Sequence, residues 1–177
     1  MKRKDIKRRI KEYFFVNPTT KLRLRQIERK LKLPLPSVIR YCKELEEEGF
    51  LSRIRISNVV FYTGNRTNER FLLEKRFFNV KQLYEVGLVD YLKEKFNNPT
   101  IVLFGSYSKG EDTEESDIDL YIETPSRKKL KLDNFESELQ RSIQIFIFRR
   151  ISYIRNKHLT NNIVNGITLN GFLEVFK

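Results

Sequence analysis

The chain has 177 residues, a formal net charge of +12 and a single cysteine, Cys42, and a single histidine, His158. That length gives one medium domain or two small ones. The lone cysteine excludes an internal disulfide and a cysteine-built zinc site, and the lone histidine argues against histidine-rich metal sites and a Ser-His-Asp triad. No apolar run approaches a membrane span, and no apolar stretch follows MKRKDIKRR as it would in a secretory signal, so a cytoplasmic, reduced setting is expected. The charge is lopsided: residues 1–70 carry 19 basic against 8 acidic side chains, residues 71–177 carry 16 against 15. Two modules are expected, the first facing a polyanion, with a Lys-rich solvated surface as the plainer alternative.

Asp5 to Phe15 reads as a helix, with Ile6, Ile10 and Phe14 at helical spacing. Asn17-Pro18 ends it. Leu22 and Leu24 alternate with arginines as a very short strand, and Arg25 to Leu31 makes a second helix. A third helix starts near Pro36, buries Val38, Cys42 and Leu45, and stops at Gly49. Leu51 to Tyr62 alternates through two strands around Ser57-Asn58, as a hairpin does. The third helix and hairpin, Leu33 to Gly64, resemble the winged helix-turn-helix family. That resemblance implies double-stranded DNA as partner. Ser37, Arg40, Tyr41 and Lys43 are expected on or near the exposed side of the third helix, toward a major groove. Arg53 and Arg55 alternate on a wing strand and project to one face, toward phosphate or the minor groove. Glu44, Glu46, Glu47 and Glu48 keep open the alternative of a protein-docking domain.

Asn68 to Asn97 reads as mostly helical, with a kink at Gly87. Ile101 to Phe104 is a buried strand, followed by Gly105-Ser106. Asp117 to Glu123 is a second strand and Ile143 to Phe148 a third, with Lys128 to Ser142 partly helical. Ser152 to Lys177 reads as one or two helices with a tail. The expected division is 1–66 for the first domain, 67–98 for a helical linker packing on the second domain, and 99–177 for the second domain.

The chemistry gathers around Asp117 and Asp119. On a strand they lie on one face, about 6.6 Å apart by the rise per residue. Two such carboxylates repel each other unless a cation lies between them or they share a proton. Oxygen ligands of this kind favour magnesium bound together with substrate phosphates. Gly105 permits close approach of a ligand, and a helix starting there offers free N–H groups to phosphate oxygens.

Phe104-Gly105-Ser106, ten residues, then Asp117-Ile118-Asp119 resembles the signature of the DNA polymerase beta-like nucleotidyltransferase superfamily, in particular its minimal branch in bacteria and archaea. Gly110 and Ser116 match positions within the signature, and Asn161 to Phe176 is similar to the tail of archaeal members. The overall class is then α+β: a winged helix-turn-helix followed by a nucleotidyltransferase α/β domain with a mixed sheet and helices on one side. The resemblance implies an NTP substrate held by Gly105, Ser106, Lys109 and Ser116. It implies magnesium (or manganese) held by the catalytic pair Asp117 and Asp119, and attack of an acceptor hydroxyl on the alpha phosphorus with loss of pyrophosphate. In the minimal branch that acceptor is often a side chain of a HEPN-type protein partner, which makes an antitoxin-like modifier the implied role. The family's third carboxylate falls here on Gln144. The alternative is therefore a weak or inactive nucleotidyltransferase fold serving as a DNA-binding transcriptional regulator or antitoxin.

Overall fold

The computed structural model describes residues 3–175. It divides into two compact units, Met1–Phe78 and Asn79–Lys177. Among the described residues no helix is long and apolar enough to cross a membrane.

The first unit contains α1 (Arg3–Val16), α2 (Leu24–Leu31), α3 (Leu35–Glu47) and the hairpin β1 (Leu51–Ile56) and β2 (Val59–Gly64). Ile6, Ile10 and Phe14 of α1 meet Ile27 of α2 and Val38, Cys42 and Leu45 of α3 in one core. Leu22 pairs with Tyr62 through a single bridge, whereas Leu24 begins α2 and belongs to no strand. The reason is local: the Gln26 side chain caps the N–H of Arg23, and helical hydrogen bonds begin there. β1 and β2 pair antiparallel with Ile56 opposite Val59. Ser57 and Asn58, both with positive φ (44° and 64°), turn the chain between them, the geometry whose twist matches a two-residue hairpin.

In the second unit the end of α4 (Glu69–Glu85) and α5 (Leu88–Phe96) precede a four-stranded sheet. Gly87, left-handed at φ 77°, separates the two helices. The strands are β3 (Thr100–Phe104), β4 (Ile118–Glu123), β5 (Ile143–Phe148) and β6 (Ile167–Asn170), in the order β5-β4-β3-β6. β3 pairs antiparallel with both β4 and β6, and β4 pairs parallel with β5, so the sheet is mixed. Between strands lie α6 (Gly105–Lys109), α7 (Asp133–Leu139), a 3-10 turn at Ile151–Tyr153 and α8 (Lys157–Val164).

Two expectations are corrected here. The C-terminal segment is not wholly helical, because Ile167–Asn170 adds an edge strand to β3. The helices also do not all lie on one side of the sheet. Ile101, Leu103, Ile118, Leu120 and Ile122 face a core with α5 and α7, while Val102, Phe104 and Tyr121 face a second core with Ile151 of the 3-10 turn and Ile163 of α8. Both faces of β3 are apolar, and a strand apolar on both faces has to be covered on both.

Candidate active site

The turn from β3 into α6 builds the site. Phe104 is the N-cap, and Gly105 opens α6 with φ +73°. The carboxylate of Asp119 packs directly on the Gly105 Cα. A Cβ placed there would overlap Asp119 Oδ2 and come within 3.2 Å of its Cγ. Glycine is thus required twice, by its backbone conformation and by its lack of a side chain. The pairing of Phe104 with Asp119 across β3 and β4 sets this approach. The first N–H groups of α6 have no carbonyl within the helix to bond.

Asp117 immediately precedes β4 and is exposed, while Asp119 is half-buried. Burial, and after it the charge of Asp117, raise the Asp119 pKa above the ordinary carboxylate value. A cation between the two acids reverses that shift, because it favours the ionised form of both. Gln144 of β5 pairs in register with Asp119 and is exposed. Carboxylate and amide oxygens are hard donors, of the chemistry that suits magnesium or manganese completed by phosphate oxygens. Among the described residues no group of three or more His, Cys, Asp or Glu side chains gathers as metal ligands.

Three other acids of this unit have structural partners. Glu123 Oε2 accepts from the Tyr121 hydroxyl at 2.7 Å and from the Ile151 N–H at 3.0 Å. Glu136 Oε1 accepts from the Ile143 N–H at 2.8 Å. The acidic loop after α6 is also partly structural. Asp112 is 1% exposed; its Oδ1 accepts from Asn79 Nδ2 at 2.7 Å, and its Oδ2 lies 3.5 Å from Arg141 Nη2. Asn79 Nδ2 also donates to the Tyr107 carbonyl at 2.9 Å. Burial, reinforced by Asp112, drives the Tyr107 hydroxyl pKa upward. This buried group of Asn79, Asp112 and Arg141 fixes the end of α6, and no sequence pattern announced it.

Ser116 Oγ accepts from the Thr113 N–H at 2.9 Å, which holds the turn entering Asp117. Ser106 is partly exposed at the start of α6, and Lys109 is exposed at its end. The structure therefore brings Gly105 and Asp119 into contact, with Ser106 following Gly105 on α6 and Asp117 two residues before Asp119, just ahead of β4. Ser116 is turned into its own loop.

In the first unit Arg40, Lys43, Arg53 and Arg55 are exposed and Ser37 partly so. Tyr41 corrects the expectation: it is 5% exposed and belongs to the core. Its position one residue before Cys42 places it on the buried arc of α3, with the Arg40 guanidinium 4.3 Å from its ring centroid. The acidic end of α3 is largely paired. Lys7 reaches Glu44 at 3.1 Å and Glu48 at 2.6 Å, Arg40 lies 3.4 Å from Glu44, and Lys43 lies 3.8 Å from Glu47. Arg53 and Arg55 form no ion pair among the described residues. Burial pushes the Cys42 thiol up to about 12, which leaves it an inert core group.

Residues 86–166 match a family described as "Nucleotidyltransferase domain". Three proteins of Methanocaldococcus jannaschii that are similar to this chain carry the name "Putative protein adenylyltransferase". MJ1379 is 59% identical over 32 residues, which are 18% of this chain and 32% of that protein. MJ0128 is 44% identical and MJ0126 48% identical, each over 52 residues, 27% of this chain and 53% of theirs. The chain thus spans about half, or less, of the length of these relatives. No solved structure matches. Together, the family match and the relatives support a nucleotidyltransferase domain over residues 86–166.

Proposed function

We propose that the second unit transfers a nucleoside monophosphate from an NTP to a hydroxyl on a protein acceptor. The observation that carries this reading is the Asp119 carboxylate seated on the bare Cα of Gly105, two residues after Asp117, which immediately precedes β4. In it, the backbone N–H groups at Gly105 and Ser106 hold triphosphate oxygens, with Lys109 nearby as a cation. Asp117 and Asp119 hold magnesium or manganese, with Gln144 offering its amide oxygen. The cation, when bound, neutralises phosphate charge and acidifies the acceptor hydroxyl. Ser116 contributes by holding the turn that presents Asp117, a supporting part in nucleotide binding. The names of the relatives support ATP as donor and a protein as acceptor. The acceptor assigned here is a HEPN-type partner, with this chain as its antitoxin-like modifier.

The first unit is assigned as a winged helix that binds double-stranded DNA through Arg53 and Arg55 on the wing and Ser37, Arg40 and Lys43 on α3. Its support is the concentration of basic charge in residues 1–70 and the two unpaired wing arginines.

Incubation with α-labelled ATP, magnesium and the acceptor tests the enzymatic reading. Label should pass to the acceptor and be lost in Asp117→Ala. A second reading rests on Gln144 beside Asp119: with only two carboxylates, the fold binds nucleotide as a sensor. Wild-type protein that takes up nucleotide but transfers no more label than Asp117→Ala selects that reading.

A further inference from the structure

A second pocket lies at the other end of the strands that carry the acidic pair. β4 and β5 run parallel and finish together at Glu123 and Phe148. A cavity of about 440 Å³ opens there, lined by Thr124, Arg127, Ile147, Phe148, Arg149 and Tyr153. Thr124 follows Asp119 by five residues, roughly 16 Å along the strand, so this cavity is separate from the Gly105 site. Its volume falls within the range of small-ligand sites.

Its lining is unusual in charge and in exposure. Arg127 and Arg149 are exposed, and neither has an ion-pair partner among the described residues. The acid that ends β4, Glu123, does not line the cavity, because it is held by Tyr121 and the Ile151 N–H. Tyr153 is 58% exposed, yet the turn that carries it is anchored by the buried Ile151. An aromatic ring is therefore presented to solvent on a fixed support. Further cations flank the lining in sequence: Lys129, Arg150, Arg155 and Lys157 are all exposed.

An accessible ring, two guanidinium groups without acids, and exposed cations close in sequence to the lining residues fit a base between phosphates. Stacking on aromatic rings along a basic track is how proteins hold single strands irrespective of sequence. A lone nucleotide would have no use for the outlying cations. We propose that this pocket binds single-stranded nucleic acid, with one base against Tyr153 and the adjoining phosphates on Arg127 and Arg149.

The test uses the full chain carrying Arg53→Ala and Arg55→Ala, which removes the wing contacts assigned to duplex DNA. Binding of a fluorescent oligouridine is followed by anisotropy. Adding Tyr153→Ala is expected to weaken binding roughly tenfold, with Tyr153→Phe retaining it. Arg127→Gln with Arg149→Gln is expected to lower the slope of log affinity against log salt by about 1.4, the value for two phosphate contacts on a single strand. Circular dichroism establishes that each variant is folded, and the glutamine pair is chosen because both positions are exposed. Unchanged affinity and slope in the folded variants overturn the proposal. Equal competition by free UMP, counted per nucleotide, overturns it in favour of a mononucleotide site. Loss of the strand in Asp117→Ala with no effect of Tyr153→Ala overturns it in favour of the acidic pair.

Discussion

Gly105→Ala isolates the contact on which the candidate active site is built. The substitution acts in two separable ways. At φ +73° an alanine carries the left-handed penalty of roughly 1–2 kcal/mol. Its Cβ would also overlap Asp119 Oδ2, so the carboxylate has to rotate away or the turn has to open. For a unit the size of Asn79–Lys177, the conformational part alone corresponds to a fall in Tm of roughly 4–16 °C. A double-mutant cycle with Asp119→Ala separates the two parts. In the Asp119→Ala background the overlap is gone, so Gly105→Ala should cost only its conformational part. The readouts are thermal melts without metal, magnesium-dependent nucleotide uptake by calorimetry, and label transfer. Uptake and transfer should both fall to the level of Asp119→Ala, since the carboxylate is displaced from the turn. Equal costs in both backgrounds, or wild-type uptake in Gly105→Ala, would refute the reasoning.

Four further outcomes are expected. The raised pKa of Asp119 means that ionising it opposes folding: the penalty is absent below the unfolded-state pKa and fully present once pH exceeds the folded-state value. In EDTA, Asp119→Asn should therefore melt higher than wild type at neutral pH, and the difference should vanish in acid. Arg141→Ala should destabilise the second unit by about 3 kcal/mol in urea titrations, because it removes the ion-pair partner of the buried Asp112; a loss below 1 kcal/mol would reject the pairing. Arg53→Ala with Arg55→Ala should lower the salt slope of duplex DNA binding by about 1.8, and no change would remove the wing from the DNA face. Gln144→Asp should tighten magnesium binding and raise transfer, since it adds a third carboxylate beside Asp119; weaker magnesium binding would place Gln144 outside the cation site.

Much of the second unit was legible because its signals are local. A short apolar run before Gly105, and alternation from Ile118 to Ile122, fix β3 and β4 and bring Asp119 opposite Phe104. Tyr41 was misread because α3 buries a wider arc than Val38, Cys42 and Leu45 alone define. A tyrosine with its hydroxyl near the surface serves equally on either boundary of that arc. β6 was missed because four residues carry too little period to distinguish a strand from a helix end; only pairing with β3 decides it. The face on which Tyr121 packs was not legible either, because it is supplied by Ile151 and Ile163, 30 and 42 residues later.

The acidic loop shows how one charge pattern serves two purposes. Glu111, Asp112, Glu114 and Glu115 stand together between the glycine turn and the aspartate pair, where a triphosphate would be repelled by carboxylates facing it. Asp112 is removed from that field by burial against Arg141 and Asn79. Its partners come from the turn that follows α7 and from α4, so the contacts that anchor the loop also tie it to both segments. A buried pair of this kind contributes little net stability when compared with apolar residues, but it penalises any arrangement that separates its members. The same Asn79 amide also holds the Tyr107 carbonyl of α6, the helix that Gly105 opens. Arg141→Ala should therefore loosen the Gly105 turn as well as destabilise the unit, seen as faster amide exchange at Ser106 and Tyr107 under native conditions. Unchanged exchange there would separate the loop's anchor from the site it borders.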